Sequence, residues 1–348
     1  MVENYSADTE GARACIESAS DLVLRAAAEL PSDVPIRLVD YGAADGGTAR
    51  PLWQSVLTRL RETRAQQPVE LLANDLPFND FNALGQTLQA LADGDPSMRV
   101  MMSPRSFYDA VASEQTVHLG FSATAMHWLR QLPFHIEGHT HANAVEDAAV
   151  RARFANASMR DWTAVLEHRA RELRPGGSLV TVNLARDEAG LYLGHNGRDE
   201  NMHEVLRGLW YGLADEGAIT AEEREQATFQ NFYKSQEEFT APLRAGTSVH
   251  ALGLRLVEMR TVTVGCPYRR AFEVNGDVAA FAGGLMRTVR SWSRHTFTTA
   301  LQARRAEDAA ERVDELYRRF EQAITAAPDR FSMDYVHNHA WMRREATP

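Results

Sequence analysis

Apolar and polar positions along this chain keep two rhythms that take turns. Residues 12–30 set Ile16, Ala19, Leu22, Val23, Ala26 and Leu30 at helical spacing and stop at Pro31, which predicts a helix. A short apolar run over 36–41 predicts a strand, followed by a glycine turn and a helix over 48–65 with Leu52, Val56, Leu57 and Leu60 on one face. Runs over 69–74, 100–102 and 117–121 predict further strands, and 80–92 predicts another helix. Residues 103–108 read as a turn into a helix. A helix over 158–173 stops at Arg174-Pro175-Gly176-Gly177, and a strand over 178–184 follows. Strands alternating with helices predict an α/β fold built on a doubly wound, mainly parallel sheet.

From residue 199 to 244 the rhythm breaks. Leu206, Leu209, Trp210 and Leu213, then Phe229, Phe232, Tyr233 and Phe239, read as helices, which predicts an insertion covering the carboxyl edge of the sheet. Alternation returns as a strand over 254–264, then helices over 277–302 and 306–326 and a last strand near 332–342. The expected organisation is a nucleoside-binding core over residues 1–190, a helical cap over 191–250, and returning strands and helices over 251–348.

With 348 residues, 44% of them hydrophobic, the chain can bury a large core. A net charge of −10, with no basic block, argues against nucleic acid as a partner. Two cysteines, Cys15 and Cys266, make no disulfide framework and fit a reducing, cytoplasmic compartment. The N-terminus shows no leader pattern, and no apolar run is long enough to span a membrane.

The chemistry concentrates in two places. Residues 37–47, Arg-Leu-Val-Asp-Tyr-Gly-Ala-Ala-Asp-Gly-Gly, run a strand into a glycine turn, and residues 70–75 run a second strand into Asp75. A turn that lets backbone approach a ligand, beside a carboxylate that accepts from two ribose hydroxyls, can clamp a nucleoside. The dinucleotide fingerprint G-x-G-x-x-G is incomplete, because Ala43, Ala44 and Asp45 separate Gly42 from Gly46 and Gly47. Asp40, at the strand end, would repel a pyrophosphate and suits a cation. S-adenosylmethionine (SAM), a sulfonium with an ammonium group and no phosphate, fits this better than NAD. An ordinary strand–turn–helix without a ligand stays open at this point.

Three blocks carry a family resemblance. Residues 118–133 read His-Leu-Gly-Phe-Ser-Ala-Thr-Ala-Met-His-Trp-Leu-Arg-Gln-Leu-Pro, residues 74–82 read Asn-Asp-Leu-Pro-Phe-Asn-Asp-Phe-Asn, and residues 104–108 read Pro-Arg-Ser-Phe-Tyr. Together, and in this order, they resemble the SABATH carboxyl methyltransferases, which act on plant hormone acids, benzoate-type acids and fatty acids and include N-methyltransferases of heterocycles. The resemblance implies a class I methyltransferase fold, SAM as cofactor with S-adenosylhomocysteine (SAH) as product, and a homodimer. By position it implies that Asp40 and Gly42 stand at the family's first SAM-binding strand end and that Thr48 lies near the methionine moiety. Asp75 and Leu76 would meet ribose and adenine, Ser106 and Phe107 would hold the adenine, and Ser122 would line the site. Tyr5 and Thr9 align with the N-terminal SAM-binding segment. Trp128 matches the tryptophan whose indole binds the substrate carboxylate, and His127 stands where the family varies with substrate. Two departures are visible: no Gln occupies the region of Ala12–Arg13 where the family grips the carboxylate, and Thr124 replaces the family's Tyr.

A carboxylic acid is already ionised at neutral pH, so an in-line methyl transfer to it needs position and water exclusion, not a general base. Trp128, with one N–H donor on an apolar body, suits that task. Trp210, Phe229, Tyr233 and Met286 are expected to wall an acceptor pocket for a small or medium-chain acid, fatty or aromatic. The alternatives are N-methylation of a heterocycle and a SAM-binding protein without catalysis. The histidines at 135, 139 and 141 and at 337 and 339 do not by themselves supply a metal site, and none is expected.

Overall fold

The computed structural model describes residues 5–31, 35–194 and 201–345. Seven strands form one sheet: β1 (Ile36–Tyr41), β2 (Val69–Asp75), β3 (Met98–Pro104), β4 (Val117–Ala123), β5 (Leu173–Leu184), β6 (Leu254–Val264) and β7 (Tyr335–Arg344). Their order is β3-β2-β1-β4-β5-β7-β6. The first five pair in parallel, and β7 lies antiparallel to both β5 and β6. The sheet is thus mainly parallel, as the alternation of strands and helices requires.

Three helices, α1 (Tyr5–Asp8), α2 (Glu10–Glu17) and α3 (Ser20–Ala28), open the chain, followed by α4 (Arg50–Thr63) and α5 (Phe81–Ala92). The long α6 (Ala148–Glu172) leads into β5, and α7 (Met202–Asp215), α8 (Ala221–Glu225), α9 (Gln236–Thr240) and α10 (Ser248–Ala251) lie between β5 and β6. Helices α11 (Pro267–Asn275), α12 (Val278–Arg305) and α13 (Ala309–Ala326) precede β7. One sheet face packs on α3, α4 and α5, in a core continuous with α7, α12 and α13. The other packs on α6, with Trp162, Val165 and Leu166 against Val39, Tyr41 and Leu179. Alternation along β1 makes both contacts at once: Leu38 faces the first core and Val39 the second.

Several elements differ from their sequence pattern for local reasons. The expected helix over 12–30 is broken at Ser18–Ala19, where the Ser18 hydroxyl donates to the Cys15 carbonyl and ends α2. No helix follows β3, because the Asn74 amide donates to the carbonyls of Ser103 and Arg105 and fixes that segment as a turn. Helix α6 starts ten residues early, capped by Asp147, whose carboxylate accepts from the N–H groups of Ala149 and Val150. Strand β5 begins at Leu173 with a bulge opposite β4, so the Pro-Gly-Gly run interrupts a strand instead of preceding one. The aromatic run Phe229-Gln-Asn-Phe-Tyr233 is extended, not helical: the Leu129 N–H donates to the Gln230 carbonyl and the Phe232 N–H to the His127 carbonyl. Helix α11, between Pro267 at its first turn and Gly276 at its C-cap, escaped the periodicity altogether. Residues 199 and 200 of the expected insertion lie outside the described residues.

Candidate active site

The carboxyl ends of β1, β2, β3 and β4 converge, as in open α/β sheets that bind ligands at a strand-order switch. Asp75 ends β2 almost fully buried. Its Oδ2 accepts the Ala44 N–H and its Oδ1 the Leu76 N–H, each at 2.7 Å. Burial pushes its pKa up, while these two N–H groups pull the other way. Gly42 has a φ of +82°, and a Cβ there would come within 2.7 Å of Ala125 Cβ, with the Phe107 ring just beyond. That position needs glycine on both counts. Ser106 and Phe107 sit half-buried on the turn pinned by Asn74, and Leu76 is partly exposed beside them. Thr48 is buried where the turn enters α4.

Asp40 is buried, and its Oδ2 accepts the Trp53 indole N–H at 2.8 Å. Burial raises its pKa to about 7, with the Asp75 charge adding and the indole bond opposing. The folded value lies above the ordinary 3.8, so the protonated form favours the fold. Its contribution is complete at acid pH and is lost as pH rises through about 7. Asp40→Asn should therefore gain Tm relative to the parent at pH 8 and show a smaller gain at pH 5. A gap that does not change with pH would contradict this. Ser122 is engaged within the sheet, donating to the Tyr41 carbonyl at 2.8 Å and tying β4 to β1.

The N-terminal segment closes over this end. The Ser6 N–H donates to Asp45 Oδ2 at 2.8 Å, and Gly47 leaves the room that the Ser6 side chain fills. The Tyr5 hydroxyl bonds the Thr124 side chain, and burial holds it as a phenol with a pKa pushed up to about 12. Thr9 donates to the Tyr5 carbonyl. Thr124 itself takes a φ of +51°, a strained conformation for a β-branched residue. An aromatic ring thus reaches Thr124 from α1, although the family's Tyr is absent at that position.

Beneath this segment lies a small, partly open cavity. The structure brings Tyr5, Thr9, His127, Trp128 and Tyr233 together on its wall, along with Thr124. Asn231, Thr288, Trp292 and Tyr335, which the sequence reading missed, complete it with Ala12, Leu184 and Leu193. Only Asn231 carried a sequence signal, as one of two adjacent amides, with Gln230, inside an aromatic run. None of the described residues accepts a hydrogen bond from the Trp128 indole, whereas its carbonyl takes the Tyr108 hydroxyl.

Three expected wall residues are elsewhere. Trp210 is core: its indole donates to the Arg224 carbonyl at 3.0 Å and its ring leans on Phe297. The apolar face of α7 is used up against α8 and α13. Phe229 forms a second layer, its ring 5.6 Å from His203 and 5.7 Å from Trp292. Met286 packs half-buried against the main core, away from the cavity.

A family model described as SAM dependent carboxyl methyltransferase matches residues 3–344. The chain belongs to that family. It is 30% identical over 177 residues to a methyltransferase named FUS9 from Gibberella fujikuroi, covering 48% of this chain and 46% of that one. It is 25% identical over 228 residues to gibberellic acid methyltransferase 2 of Arabidopsis thaliana, covering 60% and 59%. The chain spans about half the length of the curated relatives it matches. A solved loganic acid methyltransferase with SAH superposes with a TM-score of 0.76 at 18% identity, covering 97% of this chain and 94% of that one, which shows the shared class I methyltransferase fold. SAM is the cofactor of the carboxyl methyltransferase family, and the strand-end cleft of this member fits it. Each Asp75 oxygen keeps capacity beyond its single backbone partner, and the Gly42 cradle has no Cβ to block a close approach.

Proposed function

We propose that this methyltransferase converts a small monocarboxylic acid into its methyl ester. The observation that carries this reading is Trp128: an indole N–H with no partner among the described residues, on the wall of a cavity that opens beside the SAM cleft. Asp75 would hold the ribose hydroxyls and Phe107 with Leu76 the adenine, with Asp40, Gly42 and Thr48 toward the methionine end. Bound there, SAM supplies a methyl group activated on a sulfonium. Trp128 donates one hydrogen bond to the acid, orienting the carboxylate while leaving its charge in place. Tyr5, folded over with α1, keeps water from the reacting oxygen. His127 is buried and neutral, since burial and the charge of Lys234 push its pKa well below the usual histidine value. It positions and does not act as a base, and an ionised acid requires none.

The rings of Trp128, Tyr233, Trp292 and Tyr335, with Met286 absent from the wall, favour an aromatic or similarly compact acid over a long fatty chain. Incubation with labelled SAM and a panel of aromatic and straight-chain acids, followed by extraction of neutral esters, tests this. Labelled ester from no acid would refute the activity, and steadily rising activity with chain length would refute the aromatic preference.

The same reading takes residues 1–190 as the SAM-binding core, 191–250 as the cap, and a cytoplasmic homodimer as the working form. Among the described residues, no helix is long and apolar enough to cross a membrane. Sedimentation at micromolar concentration should give twice the chain mass of 38.8 kDa, and a single-chain mass throughout would count against the dimer.

A further inference from the structure

A buried ion pair stands behind the turn that follows β3. Arg169 and Glu172, on the last turn of α6, pair at 2.8 Å and are fully buried. Both direct their remaining capacity at one short segment. Arg169 donates to the carbonyls of Phe107 and Asp109, each at 2.8 Å. Glu172 Oε1 accepts the N–H groups of Val111 at 2.6 Å and Ala112 at 3.2 Å, and its Oε2 accepts the Tyr41 hydroxyl at 2.8 Å. A buried ion pair adds little net stability, because desolvating two charges offsets their attraction. What this pair supplies is geometry: residues 107–112 are locked to α6 and to the end of β1.

Tyr108 belongs to the locked segment and reaches the acceptor side. Its ring is buried in the second core, 4.7 Å from the Phe107 ring, and its hydroxyl donates to the Trp128 carbonyl. The Trp128 N–H donates to the Ala125 carbonyl at 3.2 Å, and the Leu129 N–H to the Gln230 carbonyl at 2.8 Å. The peptide groups on both sides of Trp128 are therefore tied, which fixes its backbone and aims the Cα–Cβ bond that carries the indole. Gly42 lies between the two halves, with Ala125 on one side and Phe107 on the other. Two neighbouring residues of one rigid turn thus serve the strand-end cleft and the acceptor tryptophan at once.

We propose that Tyr108 is a positioning residue for methyl transfer: held by Arg169 and Glu172, it fixes Trp128 relative to the adenine contact at Phe107 and so sets the acid's approach to the methyl group. The inference rests on the carboxyl methyltransferase reading above. An in-line displacement needs the carboxylate oxygen opposite the sulfur, and a small misplacement of a reacting group lowers the rate sharply. The cofactor cleft and Trp128 belong to different strand ends, and the Phe107–Tyr108 turn touches both. Tyr108 is not on the cavity wall and does not meet the reacting atoms; it acts through Trp128.

Tyr108→Phe keeps the ring and removes the hydroxyl. It should lower kcat for ester formation about tenfold while the KM for SAM stays within about twofold. The same change made in Trp128→Phe should lower kcat by no more than about twofold further, because the group it positions is gone. A residue that merely supports the fold would lower kcat equally in both backgrounds. A second readout needs no acid. With the indole nitrogens labelled and SAH bound, the Trp128 N–H, identified by its loss in Trp128→Phe, should give one sharp NMR signal in the parent and a broadened or split one in Tyr108→Phe. Tyr108→His, whose ring N–H sits nearer the backbone, gives the same comparisons if the first variant does not fold. Equal losses in the two backgrounds, parent-like kcat, or a single sharp indole signal in the folded variant would overturn the proposal. No ester from any acid with the parent would refute the methyl-transfer reading, and the indole signal would still decide the role of Tyr108.

Discussion

Trp128→Phe should lower kcat/KM for the acid substrate by about a hundredfold while leaving the protein folded, since loss of orientation at a reacting carboxylate has an effect of that order. The phenyl ring keeps the apolar body that leans on His127, at a ring separation of 5.5 Å in the parent. The five-membered ring that carries the N–H is removed. Because no described residue accepts from that N–H, its loss breaks no bond within the fold, and the Tm should stay close to that of the parent. Ester formation and thermal unfolding, measured on the same preparation, check both halves. Parent-like turnover in the variant would remove Trp128 from the acceptor site.

Asp75→Ala should weaken SAM binding ten- to a hundredfold, since a hydrogen bond to a charged group contributes about 1.5–3 kcal/mol. The carboxylate also holds the Ala44 and Leu76 N–H groups, so alanine loosens the turn as well as the ribose contact. Asp75→Asn separates the two effects: its carbonyl oxygen retains one backbone partner, and the charge is gone. Calorimetry with SAM on both variants should rank parent above Asn and Asn above Ala. Equal affinities in folded proteins would dismiss Asp75 as the ribose ligand.

The donor half of the site was legible in the sequence because it is local. Gly42 and Asp75 each sit at the end of an apolar run, and parallel pairing of two adjacent strands, Tyr41 opposite Asn74, is all that brings them together. The acceptor half was legible only where motif blocks marked it. Trp128 and Asn231 lie about a hundred residues apart and meet through one isolated bridge that no periodicity announces. The aromatic run around Asn231 has apolar spacing that suits a helix as well as a strand, and long-range pairing decided it. Trp210 illustrates the converse: an apolar helix face near the site was read as pocket wall, when its neighbours α8 and α13 had already claimed it. Tyr335 reaches the cavity only because β7 inserts between β5 and β6, a placement set by topology and not by any residue pattern nearby.

That return of β7 bears on how the protein is made. Every residue of the strand except Arg343 is buried, and it is both the partner of β5 and, among the described residues, the only sheet partner of β6. On the ribosome, β1 to β5 can assemble early, but β5 then presents a bare edge and β6 waits with no strand beside it. Both edges stay open to mispairing with other nascent chains until residue 344 has cleared the exit tunnel. A chain that terminates before Tyr335 lacks a wall of the acceptor cavity as well as the strand that joins β6 to the rest of the sheet. Such a product should go to proteolysis or inclusion bodies and not persist as a weakened enzyme.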